Sequence, residues 1–460
     1  MIKNFKKYLV LSLAVLLLIF LIFFFDKALA VGLLLIALLS AITFLALNKL
    51  GIGDRKLYMI LGLILLLHIS VVLLIHCTGF NPFPGGADYE GYSYDAIKIA
   101  HRFDNLNFSL EGVALLHYFP VIIGAVYAVT FPAMIVGQLF LVWIVLLSVI
   151  LLWLLVLEIG GTKKGAFLTG LIAAFYPSFL YFSSLLLKDS LVILLALASL
   201  LLIVKILKNF SGLKFLMFFA VLTCLFHFRF YIGFAAIFTF IICWFWISNL
   251  KFKERIIYGV AMVLLLGFAP QLTGLGYYGQ SPLVSFLNAN SIINFREVAY
   301  APKPSDNVFS EFKNDNSGTG SSFTVDVSFG NKYKFVENYL ISSNYAFFGP
   351  FPWQLRYKKH LLFLLETVPW YFLLCLIFYG AYECLRNNGF KAFLKIYRFT
   401  LPILIFSLLV IGALSLFITN FGILARIRIP VFLAMFCLLA LGNFIPDKAE
   451  KLLAKVGIYI

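Results

Sequence analysis

The sequence predicts an all-α, polytopic integral membrane protein with about twelve transmembrane helices. Of its 460 residues, 63% are hydrophobic and only 12% are charged, whereas a soluble domain carries roughly a quarter charged residues. Its apolar runs are about 20 residues long, which matches the hydrocarbon thickness of a bilayer. They lack period-2 alternation, and within lipid every backbone polar group must be paired internally, so the runs indicate helices rather than a barrel.

Thirteen apolar runs are candidate spans, and the charges in the loops decide which of them cross. Lys and Arg collect in cytoplasmic loops, so the lysines of residues 3–7 place the N-terminus inside. The same rule assigns five further basic clusters to the cytoplasmic side, at 49–56, 163–164, 205–208, 251–255 and 386–398. The candidate spans are about 8–25, 29–48, 57–76, 114–131, 133–157, 165–187, 190–207, 213–228, 230–248, 256–270, 361–384, 400–419 and 429–446.

The run 114–131 is the exception among these candidates. All later basic clusters fall inside only if 114–157 crosses once, so we expect 114–131 to form an interfacial or half-inserted helix. Twelve crossings then remain, with both termini cytoplasmic in a plasma or inner membrane. The predicted division is a transmembrane hairpin at 1–56, a core at 57–270 with a first outer loop at 77–132, a long outer loop at 271–360 and C-terminal helices at 361–460.

The net charge of +16 would suggest a nucleic-acid partner in a soluble protein. Here cytoplasmic loops and contact with anionic lipid headgroups account for it, so we expect membrane lipids and no nucleic acid as partners. The six cysteines lie in apolar runs or at a helix end. They show neither metal-ligand spacing nor a disulfide framework, which indicates packing residues.

The first outer loop carries acidic residues directly after the third span. Asp88 and Glu90 supply carboxylates at the membrane boundary, where a carboxylate can accept a proton from a nucleophile or hold a metal. Residues 96–100 read as part of a short amphipathic surface helix. An ordinary acidic loop that caps a helix is the simpler interpretation of the two carboxylates.

Basic residues that the charge rule does not explain recur at other predicted outer turns. A cation at such a depth is costly and therefore a site hypothesis, and Arg suits phosphate oxygens. The simpler interpretations of these charges are helix capping, snorkelling to headgroups and anchoring at the membrane surface. The turns contain Lys188–Asp189, Arg229 with Tyr231, Arg426 with Arg428, and Arg356 within 353–360.

No GxxxxGK[ST] loop or nucleotide-binding fingerprint occurs in the sequence. Carboxylates on one outer loop together with cations on several others instead fit a substrate linked to a lipid phosphate and already translocated.

With these motifs the chain resembles the glycosyltransferase-C superfamily, in particular the protein O-mannosyltransferase and lipid A aminoarabinose transferase type. The resemblance covers about 60–450 in order. It rests on Asp88-Tyr89-Glu90-Gly91-Tyr92 followed by Ala96 and Ala100, on His117-Tyr118-Phe119-Pro120, on Tyr176-Pro177 through Lys188-Asp189, and on Arg426-Ile427-Arg428-Ile429-Pro430. The chain departs from the family in its extra N-terminal hairpin, in Lys-Asp where a Glu is common, and in lacking a large soluble C-terminal domain.

The resemblance implies a transferase of the outer membrane face that uses a polyprenyl-phosphate sugar. Asp88, with Glu90 beside it, would deprotonate a glycan, lipid or protein acceptor, which attacks the anomeric carbon with inversion. The lipid phosphate leaves once its charge is neutralised. A divalent metal is possible, and no cofactor is certain. The phosphate and its surroundings would be bound by Tyr92, Lys188, Asp189, Arg229, Tyr231, Arg356, Arg426 and Arg428.

Two other functions remain open from the residues alone. A cell-envelope polysaccharide polymerase or ligase would use a lipid-pyrophosphate glycan and the outer arginines, but it would not need the first-loop Asp. A lipid-linked saccharide transporter or flippase would place paired charges at the bilayer midplane and repeat its halves. The sequence shows neither of those two transporter features.

Overall fold

The structure, a computed structural model, describes residues 20–80, 88–109, 118–265, 331–354, 363–418 and 420–442, and within them it is helical without a strand. The α-helices are α1 Lys27–Lys49, α2 Arg55–Thr78, α3 Asp88–Asp104, α4 Phe119–Ala128, α5 Met134–Glu158, α6 Lys163–Phe175, α7 Pro177–Phe182, α8 Asp189–Lys208, α9 Gly212–Ile247, α10 Phe252–Leu265, α11 Lys332–Phe348, α12 Leu364–Ile396, α13 Leu401–Phe417, α14 Phe421–Ile427 and α15 Ile429–Phe436. Short 3₁₀ turns occur at Pro352–Gln354, Tyr397–Thr400 and Cys437–Leu441.

Several of these helices are long and apolar enough to cross a membrane. Within the described residues, length and composition give six such spans, or up to seven if the bent pair α14–α15 counts as one. This confirms the predicted helical membrane protein. The finer count of twelve crossings stays a prediction, since the run 8–25 lies almost wholly outside the described residues.

The chain folds into two compact units. The first unit comprises 1–153 and 170–194, and the second comprises 154–169 and 195–460.

In the first unit, α1 and α2 form an antiparallel hairpin. Asp26 caps α1 by accepting from the Leu29 N–H at 2.9 Å, and Asp26 Oδ2 also lies 2.9 Å from His76 Nε2 near the end of α2. At the opposite end of the pair, the Tyr58 hydroxyl donates to Asn48 Oδ1 at 2.6 Å. Polar contacts therefore fix both ends of the hairpin, and they place residues 26 and 76 on one side, as the charge rule predicts.

Small residues allow close helix contacts in this unit. A Cβ at Gly32 of α1 would stand 2.6 Å from Leu139 Cδ1 of α5, and one at Gly170 would stand 2.9 Å from Ile60 Cγ2 of α2. Between membrane helices, packing rather than the hydrophobic effect drives association, and small residues permit it. The Trp143 indole N–H adds a hydrogen bond to Thr43 Oγ1 at 3.0 Å.

Helices α3 and α4 pack closely on each other. The buried face of α3 is made of Ser93, Ala96, Ile99 and Ala100, which is the one-sided pattern expected of the amphipathic helix. A Cβ at Gly124 of α4 would come within 2.7 Å of Ile99 Cγ2. Helix α4 has 10 residues, about 15 Å at 1.5 Å per residue, and cannot cross a core about 30 Å thick. Its length thus agrees with the predicted half-inserted helix.

The predicted single span at 165–187 is interrupted in the structure. Helix α6 ends at Phe175, Tyr176 is extended, and Pro177 begins the six-residue α7. A residue before proline is pushed away from helical geometry, while proline at the first helical position is tolerated, so Tyr176-Pro177 produces the break. The chain then turns through 183–188 before α8 begins at Asp189.

In the second unit, α9 folds back on itself at Arg229, whose φ of −153° and ψ of 83° are not helical. The rings of Phe218 and Phe240 lie 5.0 Å apart, and those of Phe226 and Phe234 lie 4.9 Å apart. In a straight helix, positions 218 and 240 would be about 33 Å apart at 1.5 Å per residue. The 36 residues are therefore two antiparallel arms, in agreement with the predicted spans 213–228 and 230–248 and the turn between them.

Helices α11 and α13 pack on each other in the same unit, where the Ser342 hydroxyl donates to the Ser415 carbonyl at 2.6 Å. Helix α11 lies within 271–360, which the sequence reading treated as a loop. Helix α12 is broken at Gly389, which has a φ of 74°, a left-handed conformation that glycine adopts without steric cost.

Basic side chains gather at one end of the second unit, where they bind backbone carbonyls. Arg255 donates to the carbonyls of Phe245, Ser248 and Leu250, the Lys208 ammonium binds the carbonyl of Glu158, and Arg398 binds that of Ile247. Cations near helix C-termini satisfy carbonyls that have no partner within the helix and interact favourably with the helix dipole. We name this the basic end, and it unites clusters that the sequence reading places on one side.

Candidate site at the first outer loop and the 183–190 turn

Helix α3 begins at the predicted catalytic carboxylate. Asp88 and Glu90 lie in its first turn, where negative charge interacts favourably with the helix dipole. Asp88 is half-buried and Glu90 is exposed. Tyr92 is half-buried, with its ring 5.2 Å from that of Phe119 of α4. The start of α3 is thus anchored by an aromatic contact next to the carboxylates.

The start of α3 also lies near α7. Tyr89, which follows Asp88, is a neighbour of Tyr181 of α7. Seven residues after Tyr181, Lys188 is half-buried, and Asp189 is only 4% exposed at the first position of α8. The structure therefore brings the first outer loop to the segment that leads into the predicted Lys-Asp turn.

That turn is unusually rich in buried polar side chains. Ser183, Ser184, Asp189 and Ser190 are each less than 5% exposed, and buried polar groups are costly unless they are hydrogen-bonded. The Ser184 hydroxyl donates to the Leu180 carbonyl at 2.7 Å. We refer to these four residues with His68 as the polar cluster.

His68 of α2 is the member of the polar cluster that the sequence reading missed. It is fully buried, its Nδ1 lies 3.4 Å from Ser184 Oγ, and its ring meets that of Phe179 edge-on at 5.4 Å. Because the Ser184 proton goes to Leu180, the hydrogen bond requires His68 to carry its proton on Nδ1. Nε2 is then an acceptor, and it has no hydrogen-bond partner within the described residues. A histidine in the middle of an apolar span was the signal that could have identified it.

Tyr127 of α4 connects the two parts of this region. Its hydroxyl is buried near Ser93 of α3 and has no hydrogen-bond partner within the described residues. A Cβ at Gly137 would stand 2.9 Å from this hydroxyl and 2.6 Å from Leu186 Cδ1. Tyr127 therefore lies between α3 and the 183–190 turn.

The remaining predicted site residues belong to the second unit. Arg229 and Tyr231 are half-buried at the turn of α9, where Arg229 Nη1 donates to the Tyr231 hydroxyl at 3.0 Å. Arg426 of α14 is half-buried, and Arg356 lies outside the described residues. Asp88, Tyr92, Lys188 and Asp189 belong to the first unit, so the structure groups the predicted residues in two sets.

Arg428 has a structural role rather than the predicted phosphate-binding one. It is 1% exposed, and its Nη2 donates to Glu366 Oε1 at 2.7 Å. Its Nη1 donates to the carbonyls of Gly349 at 2.6 Å and Ala346 at 3.3 Å. The guanidinium also lies 4.8 Å from the ring centroid of Phe432. With these partners it has no exposed surface for a phosphate, and we remove it from the candidate site.

No group of three or more His, Cys, Asp or Glu side chains within the described residues is placed to hold a metal ion.

No protein-family model, curated protein or solved structure matches the sequence. The candidate site therefore rests on the residues and their geometry alone.

Proposed function

We propose that the protein is a membrane glycosyltransferase that moves a sugar from a polyprenyl-phosphate donor to an acceptor hydroxyl or amine on the non-cytoplasmic face. The observation that supports this proposal is that the Asp88–Tyr89 helix start lies near Tyr181 of α7, which leads into the Lys188–Asp189 turn. A candidate base and a candidate phosphate-binding cation thereby belong to neighbouring segments of one unit. The motif resemblance to the glycosyltransferase-C superfamily supports the same proposal.

The proposed reaction is one inverting displacement. The acceptor oxygen or nitrogen attacks the anomeric carbon while the bond from that carbon to the phosphate oxygen breaks, and polyprenyl phosphate leaves. The acceptor proton passes to the Asp88 carboxylate. A positioned general base contributes typically 10²–10⁴-fold to such a step. Glu90 is exposed, so Asp88, which is half-buried at the helix start, is the better candidate for the base.

Cations at the leaving phosphate would provide the remaining stabilisation, because they neutralise the charge that develops as the bond breaks. Lys188 is the candidate in the first unit. Arg229 and Arg426, which belong to the second unit, stay sequence-based predictions for this role.

The proposed topology follows from the charges. The basic end faces the cytoplasm under the positive-inside rule. Arg229 lies at the turn of the α9 hairpin, at the far end from Ile247 and the basic end, so it faces the opposite side. Twelve crossings with both termini cytoplasmic, and α4 inserted only partway, are consistent with this orientation.

The proposal is tested with the purified full chain in lipid vesicles. Three radiolabelled donor classes are compared, namely polyprenyl-phosphate monosaccharides, polyprenyl-pyrophosphate oligosaccharides and nucleotide sugars. We expect release of polyprenyl phosphate from the first class alone. Turnover of the pyrophosphate-linked donors alone would instead support the polymerase or ligase, and binding without bond cleavage would support a transporter.

A variant separates phosphate binding from the chemical step. Lys188→Gln removes one charge at the proposed phosphate and should raise KM for the donor more than it lowers kcat, because its contact exists already in the ground state. The matched control is Lys98→Gln, an exposed lysine of α3 in the same unit. Equal kinetics in the two variants would remove Lys188 from the donor site.

A further inference from the structure

A pocket of about 410 Å³ opens at the basic end of the second unit. The end of α8 and the start of α10 form its walls, with Asn209, Phe210, Asn249, Glu254 and Tyr258 among the lining residues. Binding sites for small ligands commonly have volumes of about 300–1,000 Å³. No part of the proposed transferase chemistry uses this pocket, which lies away from the α9 turn that carries Arg229.

The walls of the pocket are held in place by protein contacts. The rings of Phe210 and Tyr258 stack with centroids 4.6 Å apart. Asn249 Nδ2 donates to the Lys208 carbonyl at 3.0 Å, and the Asn249 N–H donates to the Leu207 carbonyl. A preformed site loses little entropy on binding, so the pocket is suited to a ligand.

Positive charge is in excess around the pocket. Lys208 is paired with Glu158 at 3.3 Å, so its charge is largely compensated. Lys214 Nζ donates to the carbonyl of the pocket residue Asn209 at 2.9 Å, which places a second ammonium at the pocket edge. Lys251 and Lys253 are exposed, and each directly adjoins a lining residue in the chain, Leu250 and Glu254 respectively. The one acidic lining residue, Glu254, accepts from the Lys251 backbone N–H at 3.2 Å, so three lysines at or next to the lining outnumber one carboxylate that is already hydrogen-bonded.

Apolar surface continues from the pocket along two helices. Leu213, Leu216 and Met217 of the first α9 arm are 68%, 63% and 51% exposed. On α10, Ile257 is 65% exposed and Val260 is 52% exposed. These side chains begin just beyond the pocket residues and lie on spanning or apolar helices. A ligand with a charged head and long apolar chains would match both surfaces.

We propose that this pocket binds the headgroup of an anionic phospholipid, with its phosphate at Lys214, Lys251 and Lys253 and its acyl chains along α9 and α10. The ring pair Phe210–Tyr258 and the amides of Asn209 and Asn249 line the headgroup site. Basic pockets between membrane helices are suited to such headgroups, and each Lys near an anionic surface contributes roughly a fivefold increase in affinity. The proposal does not depend on the transferase activity.

The test measures bound lipid by native mass spectrometry of the full chain released from vesicles of phosphatidylcholine and phosphatidylglycerol. The double variant Lys251→Gln/Lys253→Gln should weaken phosphatidylglycerol binding about 30-fold, since two lysine contributions are lost. The control Lys391→Gln/Lys395→Gln removes the same charge from exposed lysines near the Gly389 break that neither line the pocket nor adjoin a lining residue in the chain. It should bind like wild type.

Two outcomes would overturn the proposal. An equal loss of phosphatidylglycerol in both double variants would mean that diffuse surface charge, not the pocket, holds the lipid. Inorganic phosphate is added as a competitor in a parallel arm. Displacement of the lipid by millimolar phosphate would show a site for the free anion rather than for a lipid headgroup.

Discussion

Arg428 and Glu366 form a buried ion pair in the second unit, with Nη2 and Oε1 2.7 Å apart and side chains 1% and 2% exposed. The arginine also binds two carbonyls in 346–349, so one guanidinium connects α11, α12 and the bend between α14 and α15. The same guanidinium lies over the ring of Phe432. Trp370 of α12 stacks on that ring, with the two ring centroids 4.0 Å apart.

Removing only one charge of this ion pair should destabilise the protein strongly. Glu366→Gln leaves a buried guanidinium without its counter-charge, for which the expected loss is about 3–5 kcal/mol. Thermal unfolding in detergent measures it, with Glu337→Gln of the exposed face of α11 as the control. The apolar double variant Arg428→Met/Glu366→Leu should recover most of the loss, because replacing both charges removes the cost of burying them. Glu366→Gln with wild-type stability would contradict the pair's role.

The Asp26–His76 contact predicts an acid-sensitive helix hairpin. The Leu29 N–H bond is the main cause that lowers the pKa of Asp26, and His76 adds to it. A lowered folded-state pKa stabilises the fold above the unfolded pKa, and the effect is lost as pH falls through the folded value. Asp26→Asn retains an N-cap residue but removes the charge. The difference in unfolding free energy between wild type and this variant should therefore be at its maximum near pH 6, and it should shrink as the pH falls below about 4. A gap independent of pH would mean that the charge is irrelevant.

The His68–Ser184 contact predicts non-additive effects within the polar cluster. Ser184→Ala leaves the buried His68 Nδ1–H without its acceptor, for which a loss of about 1–3 kcal/mol is expected. The double variant His68→Phe/Ser184→Ala removes both polar partners and should be more stable than Ser184→Ala alone. Unfolding of the two single variants and the double variant in detergent forms the test cycle. Simple additivity would show that the two side chains do not interact.

The fold of α9 predicts which side of the membrane its ends face. In a background in which all six cysteines are replaced by serine, Lys214→Cys and Lys251→Cys should react with a membrane-impermeant maleimide from the same side. His227→Cys, at the exposed turn, should react from the other side. A straight 36-residue helix would put positions 214 and 251 on opposite sides, and that labelling pattern would disprove the hairpin.

The sequence predicted the spanning helices well where the bilayer thickness and local capping residues set their bounds. The spans expected at 29–48 and 57–76 became Lys27–Lys49 and Arg55–Thr78, because bilayer thickness sets the length and an aspartate caps each start. The turn at Arg229 was predicted from the same pattern. These features depend on local hydropathy and charge, which a single sequence displays directly.

The break of the predicted span 165–187 at Tyr176-Pro177 had a local signal in the proline, whereas the other misses depend on partners that are distant in sequence. Arg428 looked like a surplus cation because Glu366, 62 positions away, could not be recognised as its partner. His68 carried a local signal as a histidine within an apolar span, but its contact with Ser184, 116 positions away, could not be recognised from the sequence. Helix α11 contains many polar residues and was taken for a loop, whereas packing against α13 stabilises it. Tertiary contacts override local pattern at these positions.

The central claim is that Asp88 accepts the acceptor's proton during transfer from a polyprenyl-phosphate sugar, and a comparison of two variants tests it most directly. Asp88→Asn keeps the shape of the side chain but removes the base, and Asp104→Asn makes the same change at the exposed far end of α3. The rate of polyprenyl phosphate release is measured for both variants in vesicles. We expect Asp88→Asn to lower kcat by about 10²–10⁴-fold and Asp104→Asn to match wild type. Equal rates in the two variants would contradict the claim.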